Sequence, residues 1–440
     1  MPTKKQKSIH FIGIGGIGVS ALARFANFNG HKISGSDIKE SVLTKKLQDE
    51  GIKVTVPHAK EAINSQDLVI YSAAIKPENV ELVEAANQNI QALSRKEALK
   101  IILADMKNFC VCGAHGKSTT TAILTAILQN SALIGAESKE FDSNFRFVGE
   151  SLSFEADESD SSFLNSNPYC AVVTNAEPEH MEHYDYDLVK FHQAYIDFLN
   201  MAQIRVINAE DEFMATLNYL EATRLYPSRD IKNIEFELIN GEPFTKFSLL
   251  DLGEFEVWGF GDHIALDASL AILAALNEME VGQIRENLRK YRGIKKRFDV
   301  LWSNENCVLI DDYAHHPTEV EATMQSVMLY KELKKLDKIV AIWQPHKFSR
   351  VLSNMDHFRT CFRGCDELII LPVWAAGEPF SDIDFAKLFE EYNPILADKV
   401  KVADETINII KNGEILKTYD TSVVVGFGAG DITYQLRGLK

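Results

Sequence analysis

The sequence predicts an α/β protein whose parallel sheets carry helices on their faces. Short apolar runs alternate with amphipathic stretches almost from one end of the chain to the other, which is typical of repeated βα units. Several of these runs end in glycine-rich turns that open a helix. The chain has 440 residues, so roughly two to four domains of ordinary size are expected.

The N-terminal region contains the first βα units. Residues 8–14 form an apolar run that predicts a strand, and residues 16–29 place apolar side chains at helical spacing. A further strand is predicted at 68–71 and a further helix at 80–86. We assign these elements to a first domain over residues 1–103.

Two more units follow along the chain. In the second, strands are predicted at 109–112, 171–174 and 205–208, helices at 118–128 and 187–200, and a small antiparallel elaboration at 234–258. In the third, strands are predicted at 308–310, 339–343, 368–371 and 422–426. We therefore expect a central domain over 104–293 and a C-terminal domain over 294–440.

Composition and charge restrict the class of protein. Hydrophobic residues make up 46% of the chain and charged residues 25%, as in a globular protein with a buried core. The formal charge of −17 disfavours nucleic acid or an anionic membrane surface as a partner. No apolar run approaches the ~20 residues that span a bilayer. The six cysteines lack the paired spacing of a zinc site, so buried reduced thiols in a cytoplasmic protein are expected.

A glycine-rich turn at residues 13–18, which we name the glycine loop, follows the first predicted strand directly. Its glycines allow the backbone to approach a diphosphate, which the N-terminus of the next helix attracts. Asp37 follows Gly18 by 19 residues, the position from which an acid binds a ribose in dinucleotide folds. On its own the pattern fits NAD, another diphosphate, or close packing of a helix on a strand.

A second loop, residues 113–119, stands between a predicted strand and a predicted helix, and we name it the phosphate loop. It is shorter than a full Walker motif, because Val111 stands where that motif has its first glycine. In such a loop N–H groups cradle phosphates, Lys117 reaches the β- and γ-oxygens, and the Ser118 hydroxyl can hold Mg²⁺. A capped helix start is the alternative. The combination of glycine, lysine and hydroxyl favours ATP.

Two acidic segments follow predicted strands of the central domain. Residues 155–160 (Glu-Ala-Asp-Glu-Ser-Asp) offer the hard oxygen ligands that suit Mg²⁺, although such a run is also typical of a solvated loop. Residues 175–180 end in His180. A carboxylate and an imidazole at the ends of two strands can share a metal.

Residues 311–319 (Asp-Asp-Tyr-Ala-His-His-Pro-Thr-Glu) lie where a predicted strand passes into a helix. Ligands of open α/β sheets bind at such strand ends. A helix start explains Pro317 and the acids, but it leaves Tyr313, His315 and His316 without a role.

Taken together, these ordered motifs resemble the Mur ligase family over nearly the whole chain. Further matching segments are residues 9–16, 34–37, 72–75, 344–350 and 376–378. The resemblance implies a Rossmann-like N-terminal domain that binds a UDP-sugar, a central P-loop ATPase domain, and a Rossmann-like C-terminal domain that binds the amino acid. It assigns the glycine loop to UDP rather than NAD.

The resemblance also implies roles for individual residues. The substrate-binding residues would be Gly15, Gly16, Ile17, Gly18, Ser36, Asp37, Ser72, Tyr313, His315, Lys347 and Arg350. The ATP-binding residues would be Gly113, His115, Gly116, Lys117, Ser118, Thr119, Arg297 and Asp312. Mg²⁺ would be held by Ser118, Glu155 and His180, and the catalytic groups would be Lys117, His180, His315 and Arg350.

The activity that the resemblance implies is ATP-dependent ligation of L-alanine to UDP-N-acetylmuramate through an acyl phosphate, in peptidoglycan precursor synthesis. ATP and Mg²⁺ are the expected cofactors. His180 and His315 are alternative bases for the amine proton. We expect a cytoplasmic monomer or homodimer without a nucleic-acid or membrane partner.

The chain departs from the family pattern at several positions. Where many members have His-Asn-x-x-Asn, residues 263–267 contain neither amide, so adenosine meets different groups in this chain. Lys296 and Lys347 stand where many members have arginine, and a lysine offers a point charge in place of a planar fork. Glu179 replaces the usual aspartate.

Three alternative functions stay open at this point. A tripeptide-recycling ligase of the same family tends to have tyrosine at the position of Ser159. An NAD-dependent oxidoreductase leaves Lys117 without a role. A catalytically inactive homologue is opposed by the presence of Lys117, Glu155, His180 and Asp312.

Overall fold

The computed structural model of the chain describes residues 6–179 and 181–439, and the chain divides into two compact units. The first unit comprises the described residues of Met1–Asn233, Phe247–Glu256 and His263–Arg292. The second comprises those of Ile234–Lys246, Val257–Asp262 and Gly293–Lys440. The predicted division into three domains stays a prediction: the first unit holds one sheet before residue 103 and another after it.

Strands and helices alternate along most of the chain. The strands are β1 (Ser8–Ile12), β2 (Lys32–Ser36), β3 (Lys53–Thr55), β4 (Leu68–Tyr71), β5 (Ala92–Ser94), β6 (Lys107–Cys112), β7 (Ser131–Ser138), β8 (Ser143–Arg146), β9 (Ser151–Glu155), β10 (Pro168–Val173), β11 (Ile204–Asn208), β12 (Thr223–Leu225), β13 (Ile231–Ile239), β14 (Glu242–Leu249), β15 (Glu254–Trp258), β16 (Asp299–Ser303), β17 (Cys307–Asp312), β18 (Ile339–Trp343), β19 (Glu367–Ile370), β20 (Ile395–Leu396), β21 (Lys399–Ala403), β22 (Thr406–Lys411), β23 (Glu414–Tyr419) and β24 (Ser422–Phe427). The helices are α1 (Ile17–Phe28), α2 (Val42–Asp49), α3 (Val80–Asn87), α4 (Arg95–Ile102), α5 (Lys117–Leu128), α6 (Leu188–Met201), α7 (Pro227–Asp230), α8 (Asp262–Ala275), α9 (Val281–Leu288), α10 (Pro317–Lys334), α11 (Phe348–Ser353), α12 (Met355–Cys361), α13 (Phe385–Leu388) and α14 (Ile432–Leu436).

The first sheet has the order β3-β2-β1-β4-β5, and all of its neighbours pair in parallel. The chain therefore reverses its direction of winding between β1 and β4, which is where ligands bind in open α/β sheets. α1 packs its apolar face inward, with Leu22, Phe25 and Ala26 fully buried. This geometry places the glycine loop at the carboxyl edge of the sheet.

The second sheet of the first unit has the order β12-β11-β10-β6-β9-β7-β8. Its strands pair in parallel except for β7 and β8, which are antiparallel. Residues 109–112 of the central strand β6 form a continuous apolar run, because both faces of a parallel sheet are covered. The phosphate loop leaves the carboxyl end of β6 and opens α5.

The segment 231–258 forms a three-stranded sheet, β13-β14-β15. The Leu249 N–H bonds to the Gly253 carbonyl and the Gly259 N–H bonds to the Pro243 carbonyl, which is an antiparallel register. This agrees with the elaboration predicted from the sequence.

The second unit is built on a six-stranded sheet with the order β16-β17-β24-β18-β19-β20. β16 runs antiparallel to β17, and the other neighbours are parallel. Buried apolar clusters cover the sheet on both faces, with Trp343 in one and Ile369 in the other. An antiparallel sheet of β21, β22 and β23 was not predicted from the sequence.

These sheets confirm the predicted α/β class. No helix in the described part of the chain has both the length and the apolar character needed to cross a membrane.

Candidate active site

The glycine loop is held by the end of the neighbouring strand β2. The Gly13 and Ile14 N–H groups donate to the Ser36 carbonyl at 2.8 and 2.9 Å. The Gly15 N–H donates to Oδ2 of Asp37 at 2.8 Å. The structure therefore brings the predicted residues Gly15 and Asp37 together, with the Asp37 carboxylate bonded to the loop itself. α1 begins without a side-chain cap or an acidic residue in its first turn, so its first N–H groups have no partner within the helix.

The Ser36 side chain points into a buried polar network. Its hydroxyl donates to Oε2 of Glu81 at 2.5 Å and lies 2.8 Å from Nδ1 of His58. Nε2 of His10 lies 3.2 Å from the same carboxylate oxygen. Burial raises the pKa of Glu81, but hydrogen bonds from His10, Ser36 and the Ala59 N–H outweigh it and lower the pKa below its ordinary value. The Ser36 hydroxyl thus holds the end of β2 in place through its buried contacts with Glu81 and His58.

Two further residues border the glycine loop. Ser72 follows β4, and a Cβ placed on Gly13 would be 3.0 Å from the Ser72 Cβ. The Asn144 side chain on β8 donates to the Ile17 carbonyl at 3.0 Å. The predicted N-terminal site residues are therefore gathered at one edge of the first sheet, together with Asn144, which was not predicted.

The phosphate loop is fastened by the end of β10. The His115 N–H donates to Oδ1 of Asn175 at 3.1 Å, and the Asn175 amide donates back to the His115 carbonyl at 3.0 Å. Nε2 of His115 lies 3.4 Å from the carboxylates of both Glu177 and Glu179. Ser118 and Thr119 are half-buried in the first turn of α5.

The Lys117 side chain is folded back over its own loop. Its Nζ donates to the Gly113 carbonyl at 2.6 Å and pairs with Oε1 of Glu158 at 2.9 Å. Burial lowers the pKa of Lys117, but nearby carboxylates, Glu158 above all, outweigh it and raise the pKa above its ordinary value. Lys117 is therefore a charged ammonium group at the phosphate loop. Oε2 of Glu158 is buried and has no hydrogen-bond partner among the described residues.

Ser118 and Glu155 meet at the start of α5. The Ser118 hydroxyl donates to Oε1 of Glu155 at 2.9 Å, and Oε2 accepts from the Gly135 N–H at 2.6 Å. Within residues 6–179 and 181–439, no group of three or more His, Cys, Asp or Glu side chains is arranged to hold a metal. The predicted metal ligand and catalytic candidate His180 lies outside the described residues.

Asp267, on α8, lies beside the phosphate loop. Gly116 has a φ of +80°, and a Cβ there would be 2.5 Å from Oδ1 of Asp267. Asp267 is buried, and burial raises its pKa to about 8. At neutral pH Asp267 is therefore mostly a neutral carboxylic acid, which is able to donate one hydrogen bond.

In the second unit, Asp312 is the last residue of β17, and its side chain is buried. Its two carboxylate oxygens accept from the Phe298 and Ala314 N–H groups, each at 2.8 Å. Burial raises the pKa of Asp312 to about 6, although the Arg297 charge opposes the shift. Asp312 therefore fastens the turn that carries Arg297. The guanidinium of Arg297 lies 3.4 Å from Oε1 of Glu319.

The remaining predicted residues of the second unit form one cluster. Ring centroids are 5.4 Å apart for Tyr313 and His315, and 5.7 Å apart for His315 and His346. Nη1 of Arg350 donates to Nδ1 of His346 at 3.0 Å, so that nitrogen carries no proton. Burial lowers the pKa of His346 to about 4, which agrees with a neutral ring. Lys347 follows His346 and precedes α11.

His315 has one ring nitrogen left to accept a proton. Its Nδ1 lies 3.0 Å from the Tyr313 carbonyl oxygen, which only accepts, so Nδ1 carries the hydrogen. Burial lowers the pKa of His315, and the Glu319 charge opposes the shift only in part. At neutral pH its Nε2 is therefore an unprotonated base.

Comparison with known proteins identifies the family. The model described as "Mur ligase family, catalytic domain" matches residues 8–107, and "Mur ligase, glutamate ligase domain" matches residues 296–430. A UDP-N-acetylmuramate–L-alanine ligase of Campylobacter curvus is 57% identical over 433 residues, covering 98% of this chain and 99% of the relative. The chain belongs to the Mur ligase family.

Other proteins resemble this Mur ligase over similar lengths. The enzyme of the same name from Helicobacter pylori is 52% identical, with 98% of this chain and 96% of the relative covered. The crystal structure of UDP-N-acetylmuramate-alanine ligase MurC from Thermotoga maritima superposes with a TM-score of 0.79 at 25% identity and covers 98% of each chain. A murein peptide ligase from Psychrobacter arcticus shares the fold, with a TM-score of 0.63, 19% identity, and 97% and 96% coverage.

Four residues that contact predicted site residues within one unit or the other of this Mur ligase were not predicted from the sequence. Glu158 and His346 lie inside motifs that were recognised, at residues 155–160 and 344–350, so a local signal existed for both. Asn175 begins a segment that was recognised for His180. Asn144 had no signal, because it acts on a loop 127 residues away in the chain.

Proposed function

We propose that this Mur ligase joins L-alanine to UDP-N-acetylmuramate at the expense of ATP, in the synthesis of peptidoglycan precursors. The observation that carries the proposal is the 57% identity over 98% of the chain to a relative that bears this activity as its name. The glycine loop and the phosphate loop support it, because they offer separate places for a nucleoside diphosphate and a nucleoside triphosphate.

The reaction has two chemical steps. A carboxylate resists attack by an amine because it is an anion with a poor leaving group. Transfer of the γ-phosphoryl group of ATP to a carboxylate oxygen of the muramate releases ADP and forms an acyl phosphate. The nitrogen of L-alanine then attacks the carbonyl carbon, the bond to the phosphate oxygen breaks, and phosphate leaves as the amide forms.

Lys117 supplies the main side-chain charge for the first step. Its ammonium group is held at the phosphate loop by Glu158 and the Gly113 carbonyl. Triphosphate oxygens compete with Glu158 for this donor, and the ammonium offsets the negative charge of the transferring phosphoryl group. The loop N–H groups hold the other phosphates.

The family implies Mg²⁺, and two residues at the phosphate loop fit it. Ser118 and Glu155 bring hard oxygen donors within 2.9 Å of each other, which is the ligand type that Mg²⁺ prefers. These residues, with His180, would hold the ion. Bound there, Mg²⁺ supplies charge neutralisation for the phosphates of ATP.

His315 is the proposed base for the second step. Its Nε2 is unprotonated at neutral pH and takes a proton from the ammonium group of L-alanine, which frees the nucleophilic lone pair. Arg350 and Lys347, beside His346, provide positive charge for the carboxylate of the amino acid. His180 is the alternative base.

The experiment that tests the proposal follows phosphate release with ATP, Mg²⁺ and UDP-N-acetylmuramate. We expect release that requires L-alanine. Release with a tripeptide but not with L-alanine would assign the chain to the recycling ligases. Absence of release with every amino donor would refute ligase activity.

One variant links the assay to the phosphate loop. Lys117→Ala is expected to lower phosphate release by at least about 1,000-fold, because it removes a cation from the transferring phosphoryl group, while UDP-sugar binding persists. Lys190→Ala is the control, because Lys190 is an exposed lysine paired with Asp185. Normal turnover of Lys117→Ala would contradict the assigned role of the loop.

We also place the enzyme in the cytoplasm. All six cysteines are free, as expected in a reducing compartment.

A further inference from the structure

The carboxyl edge of the first sheet carries an arginine that the proposed mechanism does not use. β5 pairs in parallel with β4, with Ser94 opposite Tyr71, and Arg95 follows as the first residue of α4. Because all strands of this sheet are parallel, Arg95 leaves the same edge as the glycine loop. This is the edge at which open α/β sheets bind their ligands.

The guanidinium group of Arg95 lies against the glycine loop. A Cβ placed on Gly18 would be 3.0 Å from Nε of Arg95 and 3.1 Å from Cζ and Nη2. Gly18 lies within α1 and does not have a positive φ, so its backbone conformation does not require glycine. The space above Gly18 is instead occupied by the arginine.

Arg95 places a positive charge beside Gly18 of the glycine loop. The nearby acidic side chains are hydrogen-bonded to groups other than Arg95. Its Nε is buried and has no hydrogen-bond partner among the described residues. Oε2 of Glu97, on the same helix, accepts from the N–H and the hydroxyl of Ser94. Oδ2 of Asp37, at the glycine loop, accepts from the Gly15 N–H. A buried charged donor without an acceptor is costly, so its presence points to an acceptor on a ligand.

We propose that Arg95 binds the diphosphate of the nucleotide sugar, together with the first N–H groups of α1. This inference rests on the proposed function, which assigns a nucleotide sugar to the glycine loop. A guanidinium fork matches two phosphate oxygens, and the first turn of α1 contains no acidic residue to compete with them. Arg95 supplies the local cation that an anionic ligand needs in a chain with a charge of −17.

Calorimetry with four ligands tests the inference on the full-length chain. The ligands are uridine, UDP, UDP-N-acetylglucosamine and UDP-N-acetylmuramate. Arg95→Gln is expected to weaken binding of all three diphosphates by about 10- to 100-fold and to leave uridine unchanged. The affinity of Arg95→Lys for these diphosphates is expected to lie between those of the wild type and Arg95→Gln, because lysine keeps the positive charge but lacks the planar fork of the guanidinium group. Lys100→Gln, an exposed position on the same helix, is the matched control and binds as the wild type does.

Gly18→Ala provides a second, independent test of the position of Arg95. Its methyl group displaces the guanidinium group, so we expect UDP to bind about tenfold more weakly to Gly18→Ala than to the wild type. In the Arg95→Gln background the same substitution is expected to add little, because the group that it displaces is absent. ATP affinity is measured for every variant and stays at the wild-type value when the chain is folded.

The outcomes separate this inference from the proposed function. Equal UDP affinity of the wild type and Arg95→Gln overturns the role of Arg95 and leaves the ligase activity standing. A loss confined to UDP-N-acetylmuramate also overturns it, because that result assigns Arg95 to the carboxylate of the sugar. A wild-type chain that binds none of the UDP ligands refutes the proposed function, and the inference falls with it.

Discussion

At the scale of single residues, burial decides the charge of Asp267. The sequence shows only that an acid stands where the family has an amide. In the structure that acid is buried beside Gly116, and burial raises its pKa to about 8. A protonated carboxyl group has nearly the shape of an amide and carries no charge, so Asp267 does not place an anion beside the phosphate loop at neutral pH.

A linked stability measurement tests the state of Asp267. The folded chain keeps this proton up to about pH 8, whereas the unfolded chain loses it near the ordinary pKa of 3.8. Between these values the folded state binds more protons, so Asp267 makes the free energy of unfolding decrease as pH rises, by up to about 1.4 kcal/mol per pH unit. The stabilisation that Asp267 contributes is fully present below pH 3.8, the ordinary pKa, and it is lost as the pH rises through about 8, the pKa in the folded chain.

Asp267→Asn is expected to remove that slope. Urea unfolding of the wild type and of Asp267→Asn is measured between about pH 5 and about pH 8. The change with pH in the difference between their free energies of unfolding gives the slope that is due to Asp267. We expect the variant to become relatively more stable as pH rises. A difference that is constant over this range would show that Asp267 is ionised in the folded chain.

At the scale of elements, most of the buried parallel strands and the helices that begin at the two loops were predicted within a few residues, whereas β2 was not predicted. Their signal is local, because a strand covered on both faces is a continuous apolar run and a helix repeats its apolar face. β21, β22 and β23 were missed because each spans only five or six residues and buries few side chains, so none contains a long apolar run. The hairpin of β7 and β8, which carries Asn144, was also not predicted.

Asn144→Ala tests what that hairpin contributes. The substitution removes one of two side-chain donors to the Ile17 carbonyl, the other being the Ser20 hydroxyl, and the lost hydrogen bond is worth about 1 kcal/mol. We expect the Kd for UDP-N-acetylmuramate to rise about fivefold, with the KM for ATP unchanged. Asn64→Ala changes an exposed asparagine of the first unit and serves as the control. An unchanged Kd would show that β8 does not position the glycine loop.

At the scale of the whole molecule, both units bury their cysteines in apolar cores. Five of the six thiols are buried, and Cys365 is half-buried. Burial raises the pKa of Cys110 and of Cys365 to about 12. The reactive thiolate is therefore scarce at neutral pH in either unit.

Thiol titration checks this packing. In the native chain we expect at most about one thiol to react quickly with a disulfide reagent at neutral pH, since thiolate formation requires access and a low pKa. In denaturant without reductant, all six are expected to react. Fewer than six in denaturant would reveal a disulfide, and rapid reaction of several thiols in the native chain would contradict the burial of the cores.

The sequence by itself determined the α/β class, the positions of both loops, and the residues that follow the buried strands, because these depend on short-range patterns of apolar side chains, glycines and helix starts. The tertiary structure decided which groups those residues meet. Lys117 meets Glu158, Asp267 meets the phosphate loop, and Arg95 meets Gly18. The physical reason is that partners and burial come from segments far apart in the chain, and these contacts set the charge and the orientation of each side chain.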